Sequence, residues 1–95
     1  MITKEQQKII IEKSKPFEPS KIGIFGSYAR NEQSKDSDLD VLVNFRKRVN
    51  LLELVGLEQE LSEMLGVKVD LVTEKSINKN LREYILKDLK VILDD

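Results

Sequence analysis

The sequence predicts an α+β sandwich: a three- to four-stranded mixed sheet with helices packed on one face. Three observations carry that expectation. Apolar and polar residues alternate over 38–45 and again over 67–73, the period of strands. Between them, residues 50–65 repeat apolar positions every three to four residues, the period of a helix. The chain has 95 residues, enough for one small core, so these elements are expected to share a single domain spanning 1–95.

The elements follow in order. Thr3 to Lys15 reads as a helix, because Thr3-x-x-Gln6 is a capping-box pattern and Ile2, Gln6, Ile9, Ile10 and Lys13 recur at helical spacing. Pro16 and Pro19 end it and stiffen the connection. Lys21 to Phe25 is rich in strand formers and stops at Gly26. From Ser27 to Ser37 the chain is polar and reads as one helical turn followed by a loop. Asp38 to Phe45 alternates, with Leu39, Val41 and Val43 on one face and Asp38, Asp40 and Leu42 on the other.

Asn50 to Leu65 is the strongest helix. Asn50 stands at the cap, Glu53 at the reciprocal position and Gly66 at the end. Its stripe of Leu51, Leu54, Val55, Leu57, Leu61, Met64 and Leu65 is assigned to the core, while Leu52 lies off the stripe. Val67 to Thr73 reads as a third strand, with Val67, Val69 and Leu71 on one face and Lys68, Asp70 and Val72 on the other. Ser76 is placed to cap a last helix from about Ile77 to Leu89, with Ile77, Leu81, Ile85 and Leu89 inward and Leu86 off that stripe. Lys90 to Leu93 reads either as a short final strand or as a helical tail. The sheet face opposite the helices is expected to be exposed and to carry Asp38, Asp40 and Asp70.

Composition removes several chemistries. The chain has no His and no Cys, which excludes a Ser-His-Asp triad, imidazole or thiolate metal sites, cysteine nucleophiles and disulfides. Sixteen basic residues balance 17 acidic ones, a net charge of −1, so direct nucleic-acid binding is not expected. The basic run Arg46-Lys47-Arg48 is read as a solvated loop at a strand end. No apolar run is long enough to span a bilayer and no secretory leader opens the sequence; the absence of Cys fits the expectation of a cytoplasmic protein. Any catalysis must use carboxylates, hydroxyls, amines or a hard metal ion.

Three features combine to supply it. Gly26-Ser27 follows a strand and opens a turn, where glycine allows close backbone approach and unpaired N–H groups favour a phosphate. Arg30 lies one turn further on, able to face the same anion. Asp38-x-Asp40 puts two carboxylates on one strand face, roughly 6–7 Å apart at Cα, a donor set suited to Mg²⁺. Asp70 completes a three-carboxylate cluster if its strand lies beside theirs, and crowded anions call for a cation. Singly, each has an ordinary explanation as a turn, a solvated strand end or a surface ion pair. Asp70 is the least ordinary, since Asp disfavours strands.

Together, Ile24-Phe25-Gly26-Ser27-Tyr28-Ala29-Arg30, Ser37-Asp38-Leu39-Asp40-Val41-Leu42-Val43 and Lys68-Val69-Asp70-Leu71-Val72 resemble the DNA polymerase β-type nucleotidyltransferase superfamily. The resemblance runs from about Lys21 to Leu89. In its shortness the chain is similar to the minimal nucleotidyltransferase (MNT) antitoxins of HEPN–MNT toxin–antitoxin pairs. The resemblance implies the polymerase β-type fold and transfer of a nucleoside monophosphate from an NTP to a hydroxyl. It implies that Gly26, Ser27 and Arg30 bind the nucleotide, and that Asp38 and Asp40 hold Mg²⁺. Asp70 would help hold a second Mg²⁺ or act as general base. Two ions about 3.5–4 Å apart would clamp the attacking and leaving oxygens. The sequence departs from many relatives at Asn31, where they carry glycine; Asn tolerates positive φ next best, so the loop is expected to survive.

With about 70 residues needed for the catalytic core, no acceptor-binding domain is expected, which favours a protein acceptor. The resemblance implies AMP transfer from ATP to a tyrosine of a HEPN RNase toxin, within a hetero-oligomer. The alternatives are an antitoxin that acts by binding alone and a nucleotidyltransferase acting on a small molecule. Tyr28 is assigned to packing, and Tyr84 to a core edge or a partner surface.

Overall fold

The computed structural model describes residues 2–95. Helix α1 (Lys4–Ser14) begins at Thr3, whose side chain accepts from the Gln6 N–H while Gln6 Oε1 accepts from the Thr3 N–H, so the capping box forms. A 3₁₀ turn (Lys15–Phe17) carries Pro16, and β1 (Pro19–Phe25) starts at the second proline, two residues before the expected strand. A second 3₁₀ turn (Gly26–Tyr28) and a loop lead into β2 (Leu39–Phe45). Then come α2 (Leu51–Leu65), β3 (Val69–Thr73), a 3₁₀ turn (Glu74–Ser76), α3 (Lys79–Asp88) and β4 (Lys90–Asp94). The chain after Leu89 is thus a strand.

The sheet has the order β3-β2-β1-β4. β1 pairs antiparallel with β2 and with β4, and β2 pairs parallel with β3, which makes the sheet mixed as expected. Strands β2 and β3 run the same way because α2 carries the chain back between them. Ile22, Ile24, Leu39, Val41, Val43, Val69 and Leu71 form one buried face, covered by Ile10 of α1 and by Leu57 and Leu61 of α2. Phe17 meets Phe45 edge-on, with ring centroids 5.8 Å apart, and closes that core at one end.

α2 keeps both expected ends, with an Asn50–Glu53 capping box and Gly66 left-handed at φ 69°. Its buried stripe is narrower than expected. Leu57 and Leu61 are buried and Leu54 and Leu65 pack against the core, but Leu51, Val55 and Met64 are exposed. α2 covers the sheet with one arc only, and Leu51 in the first turn and Val55 fall outside it. The same helix protects β3, an edge strand. Glu58 Oε2 accepts from the Leu71 N–H at 2.7 Å and Ser62 Oγ from the Val69 N–H at 2.9 Å, one helical turn apart.

α3 departs most from the expectation. Asn78, not Ser76, caps it, accepting from the Leu81 N–H; the Ser76 hydroxyl bonds back to the Thr73 carbonyl. No residue of α3 is buried, and Leu81 is exposed. The helix stands over the second sheet face, so that face is partly roofed. Its end packs on β1 where Leu89 lies against Gly23: a Cβ there would sit 2.5 Å from Leu89 Cδ1. Leu42, also on this face, is buried.

Candidate active site

The second sheet face brings the expected residues into one row. Phe25 of β1 pairs with Asp40 of β2, and Asp40 pairs with Asp70 of β3. In-register neighbours on adjacent strands lie about 4.8 Å apart, so the Asp40 and Asp70 carboxylates leave the sheet side by side. Asp38 sits one residue before β2, not within it, and its carboxylate faces Lys68 Nζ at 3.9 Å. The Leu39 N–H donates to the Lys68 carbonyl, which ties the start of β2 to the entry of β3.

Burial raises the Asp40 carboxyl above the usual aspartate range, and repulsion from Asp70 and Asp38 adds to the effect; Arg30 opposes it. Among the described residues, no three carboxylates converge into a ready-made cation cage. The donor set still fits Mg²⁺, which commonly takes one or two protein carboxylates and fills its remaining positions with water and substrate phosphate. Asp38 and Asp40, with Asp70 at hand, are the residues able to hold it.

Gly26 follows Phe25 directly, so the turn that opens there stands beside Asp40. Its φ is +73°, and an added Cβ would overlap Asp40 Oδ2 and stand 3.3 Å from its Cγ. Only glycine lets the backbone pass this close to the carboxylate. Ser27 is the second residue of the 3₁₀ turn, whose first N–H groups have no partner within the turn. The loop beyond is held by the Arg30 N–H on the Gly26 carbonyl (3.1 Å) and the Glu32 N–H on the Ser27 carbonyl (2.9 Å). Asn31 takes φ +62°, the left-handed conformation expected of it. Tyr28 packs against the core, as assigned.

Arg30 reaches the site but is already engaged. Its Nη1 donates to Asp88 Oδ2 at 2.6 Å, and its Nε lies 3.6 Å from Glu32 Oε1. The Asp88 bond holds the guanidinium firmly charged. Asp88 was not singled out from the sequence, because it is 58 residues from Arg30 and nothing local marks the pairing. One signal was present: an acid in the last turn of a helix opposes the helix dipole.

Between the row of carboxylates and α3 lies a cleft of about 390 Å³. Gly26, Arg30, Asp70 and Asp88 line its polar side, and Val72, Ile77, Leu81, Tyr84 and Ile85 its apolar side. Of the residues expected to fill the core beneath α3, Ile77, Leu81 and Ile85 therefore line a cavity while Leu89 packs on Gly23, and Tyr84 is 74% exposed at the cavity wall. Carboxylates and a phosphate-sized turn beside an apolar cleft can bind a nucleotide and present a second group to it.

The nucleotidyltransferase domain profile matches residues 4–92. A protein of Methanocaldococcus jannaschii that carries the provisional name protein adenylyltransferase is 44% identical over 89 residues, 93% of this chain and 88% of its own. Protein adenylyltransferase MntA of Thermococcus cleftensis is 36% identical over 94 residues, 94% of this chain and 95% of its own. Among solved structures, a chain of a toxin–antitoxin crystallised with AMP-PNP superposes with a TM-score of 0.84 at 25% identity, covering 94% of this chain and 73% of that one. The complex of a tri-AMPylated Shewanella oneidensis HEPN toxin with its MNT antitoxin shares the fold, with a TM-score of 0.80 at 22% identity over 99% and 74% of the two chains.

Proposed function

The chain belongs to the nucleotidyltransferase domain family, and from that membership we propose that it is an antitoxin that transfers AMP from ATP to a tyrosine hydroxyl of a cognate HEPN toxin and so neutralises it. One observation carries the reading: the in-register pair Asp40–Asp70, set against the turn that begins at Gly26. Two relatives support donor and acceptor class. One is named a protein adenylyltransferase, and the other belongs to a toxin–antitoxin with a bound ATP analogue.

In this reading Ser27 and the first N–H groups of its turn take terminal phosphate oxygens, and Arg30 adds a cationic contact. Asp38 and Asp40 hold Mg²⁺ together with the triphosphate. A Mg²⁺ held there by Asp38 and Asp40 would supply neutralisation of phosphate charge for an in-line displacement. Asp70, at the edge of the cleft, accepts the proton of the attacking hydroxyl or shares in holding a second ion. The tyrosine oxygen bonds to the α-phosphorus, the bond to the β-phosphate bridge breaks, and pyrophosphate leaves. No helix among the described residues is long and apolar enough to cross a membrane, and a reaction that draws on ATP fits a cytoplasmic location.

Intact-mass spectrometry of the HEPN toxin from the same source, incubated with this chain, ATP and Mg²⁺, tests the proposal. The expected result is a gain of one or more AMP units that is lost with the Asp38→Asn, Asp40→Asn variant. A stable complex without any mass gain would favour neutralisation by binding alone, and transfer that survives the double substitution would refute the role of the carboxylates.

A further inference from the structure

We propose that Asp88 is a positioning residue for nucleotide binding: it fixes the Arg30 guanidinium at the mouth of the cleft so that its remaining N–H groups meet the triphosphate. The inference rests on the reading of Arg30 as a triphosphate contact and adds to it the residue that sets its geometry.

Four observations lead there. Asp88 is the last residue of α3, where the negative end of the helix dipole disfavours a carboxylate. A residue that breaks a local preference at a cleft is explained when it serves a partner across the fold, and Arg30 is that partner. The contact is short, with Nη1 to Oδ2 at 2.6 Å, and the carboxylate is the sheltered member, its side chain 18% exposed against 41% for Arg30. The second contact, Nε to Glu32, is longer at 3.6 Å; neither uses Nη2.

The anchor is also rigid where it needs to be. α3 buries no residue, yet the next residue, Leu89, is seated on Gly23 of β1 so closely that no Cβ fits between them. Asp88 is thereby joined to the sheet that carries Asp40, although no residue of α3 itself is buried. Arg30 and Asp88 line the cleft together with Gly26 and Asp70, so the guanidinium is held beside the phosphate turn. A planar cation with one edge pinned loses less freedom on meeting phosphate than an unpinned one.

The test is titration of the full chain with ATP and Mg²⁺ by calorimetry, for the wild type, Asp88→Ala, Asp88→Asn, Arg30→Ala and the Arg30→Ala, Asp88→Ala double variant. Asp88→Ala is expected to weaken ATP binding about tenfold, as for loss of a charge-assisted contact, with kcat for AMP transfer unchanged. Asp88→Asn keeps an oxygen acceptor and recovers most of the affinity. The double variant binds no worse than Arg30→Ala, because Asp88 acts only through Arg30. In the nucleotide-free protein, the Arg30 Nη1–H signal, slowed in exchange by the contact to Asp88, collapses in Asp88→Ala and persists in Asp88→Asn.

Several results would overturn the proposal. Asp88→Ala binding ATP like the wild type would do so, as would a lowered melting temperature with unchanged affinity. Tighter binding by Asp88→Ala would show that Asp88 competes for Arg30. Unchanged binding by Arg30→Ala would remove both residues from the nucleotide site, while AMP transfer that depends on Asp38 and Asp40 would still stand. A wild-type chain that binds no ATP would refute the functional reading as well.

Discussion

Replacing Gly26 by alanine tests whether the phosphate turn and the central carboxylate are built against one another. Two costs add. The residue holds φ +73°, which costs an L-residue about 1–2 kcal/mol. The new Cβ would also overlap Asp40 Oδ2 and lie 3.3 Å from Cγ, so Asp40 must leave its rotamer at a cost of about 0.5–1.5 kcal/mol. The sum, about 1.5–3.5 kcal/mol, lowers the melting temperature of a domain this size by on the order of 6–28 °C. A displaced Asp40 also costs on the order of a hundredfold in AMP transfer. Urea unfolding of Gly26→Ala in two backgrounds separates the terms. With Asp40→Ala the nearest remaining atom of residue 40 is Cβ at 3.6 Å, an ordinary contact, so only the φ cost remains and the two sites couple by about 1 kcal/mol. Equal losses in both backgrounds would refute the claim that Asp40 is wedged against the turn.

Three further outcomes are expected. In metal-free buffer Asp40 binds its proton more readily folded than unfolded, so stability declines as pH rises through the interval just above the ordinary aspartate value; Asp40→Asn removes that decline and is more stable than the wild type at pH 7, as thermal melts across pH in EDTA would show. Glu58→Ala leaves the Leu71 N–H of the edge strand without its acceptor and costs about 1.5–3 kcal/mol in urea unfolding, with faster amide exchange at Leu71. Asn50→Ala removes the cap of α2 and costs about 1 kcal/mol, a fall of about 4–8 °C in melting temperature read by circular dichroism.

The parts that depend on near neighbours in the chain were legible. Thr3 with Gln6 and Asn50 with Glu53 form their caps because a capping box needs only four consecutive residues. Asn31 adopts the positive φ implied by the glycine that many relatives carry there, a conformation Asn tolerates next best. Alternation along 38–45 and 67–73 gave the face on which Asp40 and Asp70 lie, because strand period does not depend on what the strand pairs with. The errors fall where a side chain's surroundings come from far along the chain. Leu51, Val55 and Met64 follow helical spacing but find no sheet beneath them. Ser76 and Asn78 are both able to cap α3, and the turn out of β3 selects Asn78.

The sequence by itself determined the inventory: three helices, three of the four strands, a glycine–serine turn after a strand, and Asp40 and Asp70 on one strand face each. Local propensity and periodicity are properties of short segments, and those segments carried them unaided. Tertiary structure decided that β3 lies parallel and in register beside β2, which turns Asp40 and Asp70 from separate residues into a pair. It also decided that α3 stands off the sheet to leave a cleft, and that Asp88 meets Arg30 across 58 residues. Such contacts are set by how the elements pack to bury one face of the sheet, a balance summed over the whole core, and no single segment records it.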